Sequence, residues 1–463
     1  DYETGNGIRV TNSRFEEKDF KAGIGYQDDG YKMDFRYNYN DTQTGIPEEI
    51  GEQTTSKDLI FPNQQLDNHI ASLSNKIFLE NSSIDLKVGY LFNDRREFEE
   101  DSSDPALEMH LETLNYDLKY NTPVWGNFET IIGVQGLFQT NKNFGEELLI
   151  PDASIRDFGV LGTTHYHLEK IDIQGGFRFD TRKITTEENG TPGEPGYFKS
   201  IDRDFSSYNG SLGIKFNVFK TVVARLNAAT GFRAPNLAEL SSNGTHEGTN
   251  RYEIGNSELK NEQNFQLDLS LEYKSEHFEL FGNTFYNKIN DYIFITPTDD
   301  FVDEEQVFLY TQDNAKLYGG EAGVHIHPHP IDWLHLESSM QLVIGEKDTG
   351  ESLPLIPATS FTNTLRVELN QLKNIATNYY SFITVKTTAD QNKISDFETS
   401  TNGYTLVNAG LGGTFFLNKL PLELRISGNN LFNKNYFSHL SRLKGDGIAN
   451  MGRNISLAIQ TRF

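Results

Sequence analysis

The sequence predicts an all-β fold, a transmembrane barrel of antiparallel strands, and two observations lead to that prediction. Polar and apolar residues alternate one by one along segment after segment. The connections between these segments are alternately short and long. A period of two is typical of a strand with one apolar and one polar face. Short turns at one end and long loops at the other are typical of bacterial outer-membrane barrels.

The alternation is clearest in residues 31–40, 265–273 and 455–463. In the first of these segments, tyrosine, methionine and phenylalanine alternate with charged or amide side chains. Helical periodicity is hard to find anywhere in the chain. The alternation therefore predicts strands from end to end.

Short and long connections alternate regularly along the chain. Short turns are predicted at residues 27–30, 80–83, 121–127, 168–171, 218–221, 274–277, 328–332, 371–374 and 418–421. Long polar loops are predicted at residues 41–65, 95–106, 145–155, 185–204, 237–262, 297–306, 345–353, 390–403 and 441–449. A soluble β-sandwich has no reason to sort its loops in this way, so the pattern favours a membrane barrel.

We count about nineteen strands in one domain that covers residues 1–463. Bacterial single-chain barrels have an even number of strands. Each unpaired backbone group at an open edge in lipid costs several kcal/mol. The chain begins with neither an initiator methionine nor a signal peptide. We therefore expect it to continue a longer polypeptide, with the remaining strands upstream.

Composition excludes several classes of protein. The 66 acidic and 41 basic residues give a net charge of −25, whereas nucleic-acid binding needs a basic surface. The chain has no cysteine, so neither disulfides nor thiolate metal sites are possible. Mean hydropathy is −0.54, and no run approaches the ~18 apolar residues of a membrane helix. No phosphate-binding loop, serine-hydrolase elbow or His-Glu-x-x-His motif occurs, so we expect neither enzymatic activity nor a resident cofactor.

Five ordered motifs and the terminal residue resemble one family. The motifs are GFRAPNLAEL at 231–240, YEIGNSELKNE at 252–262, LPLIPA at 353–358, GNNLFNKNY at 428–436 and MGRN at 451–454, and the last residue is Phe463. They resemble the TonB-dependent receptors, whose barrels have 22 strands and are closed by an N-terminal plug. The resemblance implies that about three strands and the plug are absent here. It also implies that the plug connects the receptor to the TonB complex, which supplies the energy for transport.

Within that family, the zinc-uptake branch is the most similar. Residues 242–249, SNGTHEGT, run into the YEIGN motif much as in those receptors, and residues 44–47 and 437–440 also resemble them. The first long loop of the zinc receptors is rich in histidine, but residues 48–53 here are EEIGEQ. Because carboxylates alone favour harder cations or iron chelates, the identity of the metal stays open.

The candidate metal ligands lie in long loops or near strand ends. His246 with Glu247 and Glu253 offers an imidazole and carboxylates, a workable set for Zn²⁺ or a similar ion. The alternative is a solvated loop histidine. The resemblance implies a further carboxylate from the early barrel, for which Glu97 and Glu99 are the candidates. They share a face if the strand continues to that point. An ordinary acidic loop is the simpler alternative and the one that we favour.

Three further features point less clearly to a metal site. His439 is a weaker candidate of the same kind as His246. The tract of His325, His327 and His329 reads as the end of a strand, because no further ligand is evident nearby. In the GFRAPN motif we expect Arg233 to have a structural role, since an arginine suits a wet barrel interior.

The sequence therefore predicts an integral outer-membrane receptor, monomeric and surrounded by lipid, with its long loops extracellular. It would import a metal ion or a metal chelate with energy from the TonB complex. A passive porin-type channel is the alternative, because about nineteen strands is also near the porin range. An adhesion or colicin receptor is a third class.

Overall fold

The structure is a computed structural model that describes residues 1–99, 104–193, 196–246, 251–302, 305–373, 375–417 and 420–461. The strands of the first half are β1 (Tyr2–Glu3), β2 (Arg9–Val10), β3 (Phe15–Gln27), β4 (Tyr31–Gly45), β5 (Asn63–Phe78), β6 (Ser83–Phe98), β7 (Leu107–Asn121), β8 (Phe128–Asn143), β9 (Ala153–His167), β10 (Ile171–Thr186), β11 (Asp202–Phe219) and β12 (Val222–Arg233). Those of the second half are β13 (Asn243–His246), β14 (Arg251–Ile254), β15 (Glu262–Lys274), β16 (Phe278–Val302), β17 (Glu305–Ile326), β18 (Leu334–Lys347), β19 (Ser360–Leu372), β20 (Ala376–Thr388), β21 (Tyr404–Leu417), β22 (Leu420–Asn429) and β23 (Asn454–Thr461). A five-residue helix, α1 (Leu237–Ser241), and a 3₁₀ turn, Arg442–Lys444, complete the elements.

The strands form an antiparallel barrel. In the described residues, β3–β12 and β15–β23 make a wall of nineteen strands, each paired with the next one along the chain. The two loop strands β13 and β14 extend the same sheet, because β14 runs parallel to β17 beside it. This confirms the predicted fold class and the predicted number of strands.

The alternation of the sequence becomes two faces of the wall. In β15, Leu267, Leu269 and Leu271 are each 41–51% exposed and share one face, as expected for a belt that contacts lipid. Residues directly opposite on neighbouring strands share a face, so the pairing of Phe35 with Leu73 continues this belt through β4 and β5. We assign the apolar face to the outside of the barrel and the polar face to its interior.

The connections also follow the predicted sorting, with one correction. At the short turn after β3, Asp28 Oδ1 accepts hydrogen bonds from the backbone N–H groups of Gly30 and Tyr31, both at 2.8 Å. The aspartate side chain thus satisfies two backbone N–H groups of the turn, which lets the chain reverse direction within three residues. The predicted loop at residues 297–306 was wrong, since β16 continues to Val302 and β17 begins at Glu305. The two strands form a long hairpin that rises beyond the apolar belt.

The long loops pack together at one end of the barrel. A buried apolar cluster joins the upper wall to α1 and its loop, and it consists of Ala153, Ile155, Ile184, Ile201, Phe205, Ala234, Leu237, Leu240, Leu259 and Ile293. The N-terminal residues pack against the last loop at the same end, where the Tyr2 hydroxyl donates to the Ala449 carbonyl at 3.0 Å. Loops held in this way form a surface with a defined shape.

The first and last strands of the wall differ from the others in exposure. Every residue of β3 is exposed, and so is every residue of β23 except the last one described. Among the described residues, no helix is both long and apolar enough to cross a membrane. The further strands and the plug that the sequence analysis expects stay a prediction.

Candidate functional site

The loop between β12 and β15 is built on one arginine. Arg233 donates to Glu262 from Nε and Nη2, at 2.9 and 2.6 Å, and to both carboxylate oxygens of Glu239 from Nη1. Asn236 caps α1 by accepting from the Glu239 N–H at 2.8 Å, and Glu239 in turn accepts from the Asn236 N–H, which completes a capping box. The GFRAPN motif therefore holds the loop entry in place, in agreement with the structural role expected for it.

The hairpin of β13 and β14 carries the main predicted ligands. The register sets His246 opposite Arg251 and Gly244 opposite Glu253, so the backbone positions of His246 and Glu253 lie diagonally across one two-strand ladder. The His246 side chain and the whole of Glu247 lie outside the described residues. Their roles as ligands stay predictions.

Glu253 is almost completely enclosed at this hairpin. Its residue exposure is 2%, and its carboxylate lies 2.7 Å from Arg251 Nη2 and accepts from the Tyr310 hydroxyl at 2.7 Å. Tyr310 belongs to β17, so this contact ties the hairpin to the wall. The carboxylate is therefore held between a guanidinium and a hydroxyl group at the base of the hairpin.

The early-barrel carboxylates lie at the long-loop ends of their strands. Glu97 is buried and accepts hydrogen bonds from Arg95 and from the Gln64 amide. β6 ends at Phe98, so Glu99 lies just beyond the strand rather than on a continuing face with Glu97. The contacts of Glu97 are with its own neighbours on the wall, and its predicted role as a ligand is untested.

A second group of possible ligands lies on β6 and β7, where the sequence gives no motif that points to it. The imidazole Nε2 of His110 lies 3.5 Å from Asp94 and 3.4 Å from Glu108, and the ligand atoms of all three residues are within 4.8 Å of one another. Asp94 follows Tyr90 and Phe92 on the same strand face. The group therefore lies on the outer face above the apolar belt, away from the interior.

His439 connects the loops at the mouth of the barrel. It is 7% exposed, its Nδ1 shares a hydrogen bond with the Thr401 hydroxyl at 2.9 Å, and its Nε2 lies 3.5 Å from Glu398. Glu398 also accepts from the Leu355 N–H at 2.8 Å. Burial lowers the pKa of His439, and the neighbouring Glu398 opposes that effect. This packing favours a role in holding three loops together, and the role as a ligand stays a prediction.

The interior wall below the loops contains a cavity of about 350 Å³ whose lining includes several charged side chains. Its lining pairs opposite charges, with Arg178 Nε 2.7 Å from Asp180 and Arg182 Nε 2.7 Å from Asp157. Arg233 and Phe232 cover one side of the cavity. These charged groups pair with one another within and between the strands of the wall, so they need no bound ligand to balance them.

The histidine tract at the opposite end corrects one expectation. His325 ends a strand as expected, since β17 ends at Ile326. The absence of further ligands was wrong, because His277 and Asp332 come close to His327 with ligand atoms within 4.8 Å. These residues come from neighbouring turns, and only the strand register brings them together.

Comparison with known sequences identifies the fold. The model of the family described as "TonB dependent receptor-like, beta-barrel" matches residues 1–431. The chain belongs to the TonB-dependent receptor family. Similar solved structures are the copper transporter OprC, the FrpB iron transporter from Neisseria meningitidis and a ferric enterobactin receptor, PfeA, from Pseudomonas aeruginosa. Their TM-scores are 0.80, 0.76 and 0.71, each at 16% identity.

The receptor barrel aligns over nearly its whole length with these structures. The alignments cover 98, 99 and 99% of this chain and 75, 75 and 72% of the three chains respectively. Identity this low establishes the shared fold alone. The match to the family model confirms the predicted family, and the resemblance to the zinc-uptake branch stays a prediction.

Proposed function

We propose that this chain is the barrel of an outer-membrane receptor that imports a metal ion or a metal chelate by TonB-dependent transport. The long loops would be extracellular and would capture the substrate, and the receptor would act as a monomer in lipid. Energy would come from the TonB complex through the plug. The metal is cargo in this proposal and has no resident role.

The family assignment gives the main support. Proteins of the same fold are named as transporters of copper and iron and as a receptor for ferric enterobactin. The net charge of −25 favours approach of cations, since a surface of one sign raises the local concentration of counterions. The family fits import of a metal or metal chelate better than an unselective pore, and the charge favours a cationic substrate.

The β13–β14 hairpin is the proposed capture site. Glu253 is buried there beside Arg251, and His246 occupies a diagonal backbone position on the same ladder. An imidazole with carboxylates suits zinc, copper or nickel, whereas an iron chelate would be bound through its organic ligand. Glu247, Glu97 and Glu99 are proposed as additional carboxylates, and His439 as the residue that keeps the surrounding loops closed.

The test is uptake of radioactive zinc, iron and copper, each as the ion and as a chelate, into metal-starved cells that produce the full-length receptor. His246→Ala should lower uptake of the substrate without lowering receptor abundance in the membrane. His165→Ala is the matched control, because His165 lies at the short-turn end of β9. Unchanged uptake by His246→Ala would remove this residue from the site.

The same cells separate an active importer from the porin alternative. Deletion of TonB, or collapse of the proton gradient, should abolish uptake by an active receptor. Uptake that persists and rises linearly with substrate concentration would support a passive channel. Uptake of no metal species, with phage or colicin binding intact, would support the third class.

A further inference from the structure

Five of the eleven histidines form one row at the short-turn end of the barrel, the end opposite the proposed capture site. Neighbouring ring centroids in the order His329, His277, His327, His325 and His335 are 5.5, 5.4, 5.2 and 5.2 Å apart. The row begins at the exposed rim, where the side chain of His329 is 69% exposed. It ends on the wall, where that of His335 is 14% exposed.

The centre of the row is set by strand register. Phe278 pairs with Ile326 across β16 and β17, so the next residues outward, His277 and His327, are directly opposite each other. The His327 N–H donates to the His277 carbonyl at 3.1 Å and extends the ladder by one step. Residues opposite each other share a face, which brings the two imidazoles to the same side.

A carboxylate from the next turn joins these imidazoles. Asp332 Oδ1 lies 3.2 Å from His277 Nδ1, and Asp332 Oδ2 lies 3.3 Å from His329 Nδ1. Ligand atoms of His277, His327 and Asp332 all lie within 4.8 Å of one another. Within the described part of the chain, the buried Nδ1 of His277 has no hydrogen-bond partner, although Asp332 lies close to it. One nitrogen of the cluster is therefore directed at the carboxylate without being satisfied by it.

A row of solvated histidines that share protons is the alternative explanation. That explanation accounts for the contacts between the rings, but it gives no reason for His277, His327 and Asp332 to converge from two separate turns. Neutral imidazoles offer a free lone pair, which is the form that coordinates metals. The row therefore brings several imidazole nitrogens together close to the Asp332 carboxylate.

We propose that His277, His327 and Asp332 form a binding site for one transition-metal dication of the zinc, copper or nickel class, with His329 as an alternative ligand. Imidazole nitrogens select these ions over calcium and magnesium, which prefer oxygen. Ligand atoms about 3.3 Å apart are needed for tetrahedral zinc at Zn–N distances of ~2.0–2.1 Å. The half-exposed turn side chains need move only slightly to reach that spacing.

This site goes beyond the proposed import function, since binding at the rim requires no transport. His325 and His335, whose Nε2 and Nδ1 atoms are 2.9 Å apart, continue the row along the wall. A metal bound at the rim would therefore have further nitrogen ligands beside it.

The test measures Cu²⁺ and Zn²⁺ binding to the full-length receptor in detergent. With one equivalent of Cu²⁺, electron paramagnetic resonance should show coupling to nitrogen, and competition titration should give the affinity for Zn²⁺. The double variant His277→Ala with His327→Ala should remove one binding equivalent or weaken it at least tenfold. Asp332→Asn keeps the shape of the turn and should weaken binding in the same direction.

The matched control is His165→Ala with His167→Ala, which removes two histidines from the same end of the barrel. In this pair the His167 ring is already bound to a carboxylate, because its Nδ1 lies 2.7 Å from Asp172. The control should bind Zn²⁺ with the affinity and stoichiometry of the unaltered receptor. Equal binding by the unaltered receptor, the double variant and Asp332→Asn would overturn the proposal. Metal uptake by cells is measured separately, so either result leaves the import function to its own test.

Discussion

Arg233 and Glu262 face each other at the long-loop ends of β12 and β15 and form a two-point ion pair. The loop of residues 234–261 leaves the wall at this pair, and its helix returns Glu239 to the same guanidinium. Glu262 also accepts from the Ile293 N–H at 2.7 Å, which joins the pair to β16. One arginine thus fixes the entry of the loop that carries the proposed capture hairpin.

Replacement of Arg233 by methionine should loosen this loop and leave the barrel intact. The side chains of Glu239 and Glu262 are only 10 and 11% exposed, so the variant leaves two largely buried carboxylates without their cation. Because Arg233 itself is 42% exposed, we expect a local cost of about 1–3 kcal/mol rather than that of a fully buried pair. Trypsin should then cleave after Arg251 and Lys260 roughly tenfold faster.

Arg225→Met is the control for that experiment. Arg225 lies on the same strand and pairs with Glu272 at 2.6 Å, but both side chains are more exposed than the two carboxylates near Arg233. Its cleavage rate should match that of the unaltered protein. A similar rate for both variants would show that the Arg233 cluster does not hold the loop.

The assignment of the two wall faces is tested on adjacent residues of β15. Leu269→Arg places a charge on the apolar face, where it should cost about 2–4 kcal/mol in the middle of a bilayer. Ser270→Arg places the same charge on the polar face and should be tolerated. Folding into lipid vesicles, followed by the mobility shift of unheated samples on gels, should separate the two. Equal folding of both variants would contradict the membrane orientation of the wall.

Much of the fold could be predicted because strand alternation is a local property. Residues 31–40 predicted β4 correctly, since each side chain there takes the face that its polarity requires. The predicted loop at residues 297–306 failed for a physical reason. Above the apolar belt both faces of a strand contact water, so a polar strand such as the end of β16 has the composition of a loop.

Which side chains meet in the candidate sites depends on strand register, and that register could not be derived from the sequence alone. His277 meets His327 only because Phe278 pairs with Ile326, and a slip of one residue would send one imidazole to the other face. His439 was found as a candidate from its motif, but its burial against Thr401 and Glu398 depends on how three loops fold. Loop packing of this kind has no periodic signal.

Tyr310→Phe should weaken the attachment of the proposed capture hairpin to the wall. The variant removes a 2.7 Å hydrogen bond to the buried Glu253 carboxylate, which should cost about 1–2 kcal/mol. Hydrogen exchange in residues 251–254 should become faster, while exchange in the wall strands stays unchanged. Tyr286→Phe is the control, because Tyr286 is 43% exposed on β16. Equal exchange in the two variants would show that Tyr310 does not anchor the hairpin.

The packing of the last loops should depend on pH through His439. Burial lowers the pKa of His439 when the loops are closed, so the opened loops take up a proton more readily than the closed ones. The closed arrangement is therefore fully stable above about pH 6.5, the usual pKa of histidine, and loses stability as the pH falls below it.

Because the chain contains no cysteine, spin labels can be placed selectively at Ser400→Cys and Asp446→Cys. The distance between the labels should lengthen between about pH 6.5 and 5. With His439→Asn the distance should lose this pH dependence, whereas His329→Asn at the opposite end should keep it. A distance that stays constant from pH 8 to 5 in the otherwise unaltered protein would refute the role of His439 in holding these loops.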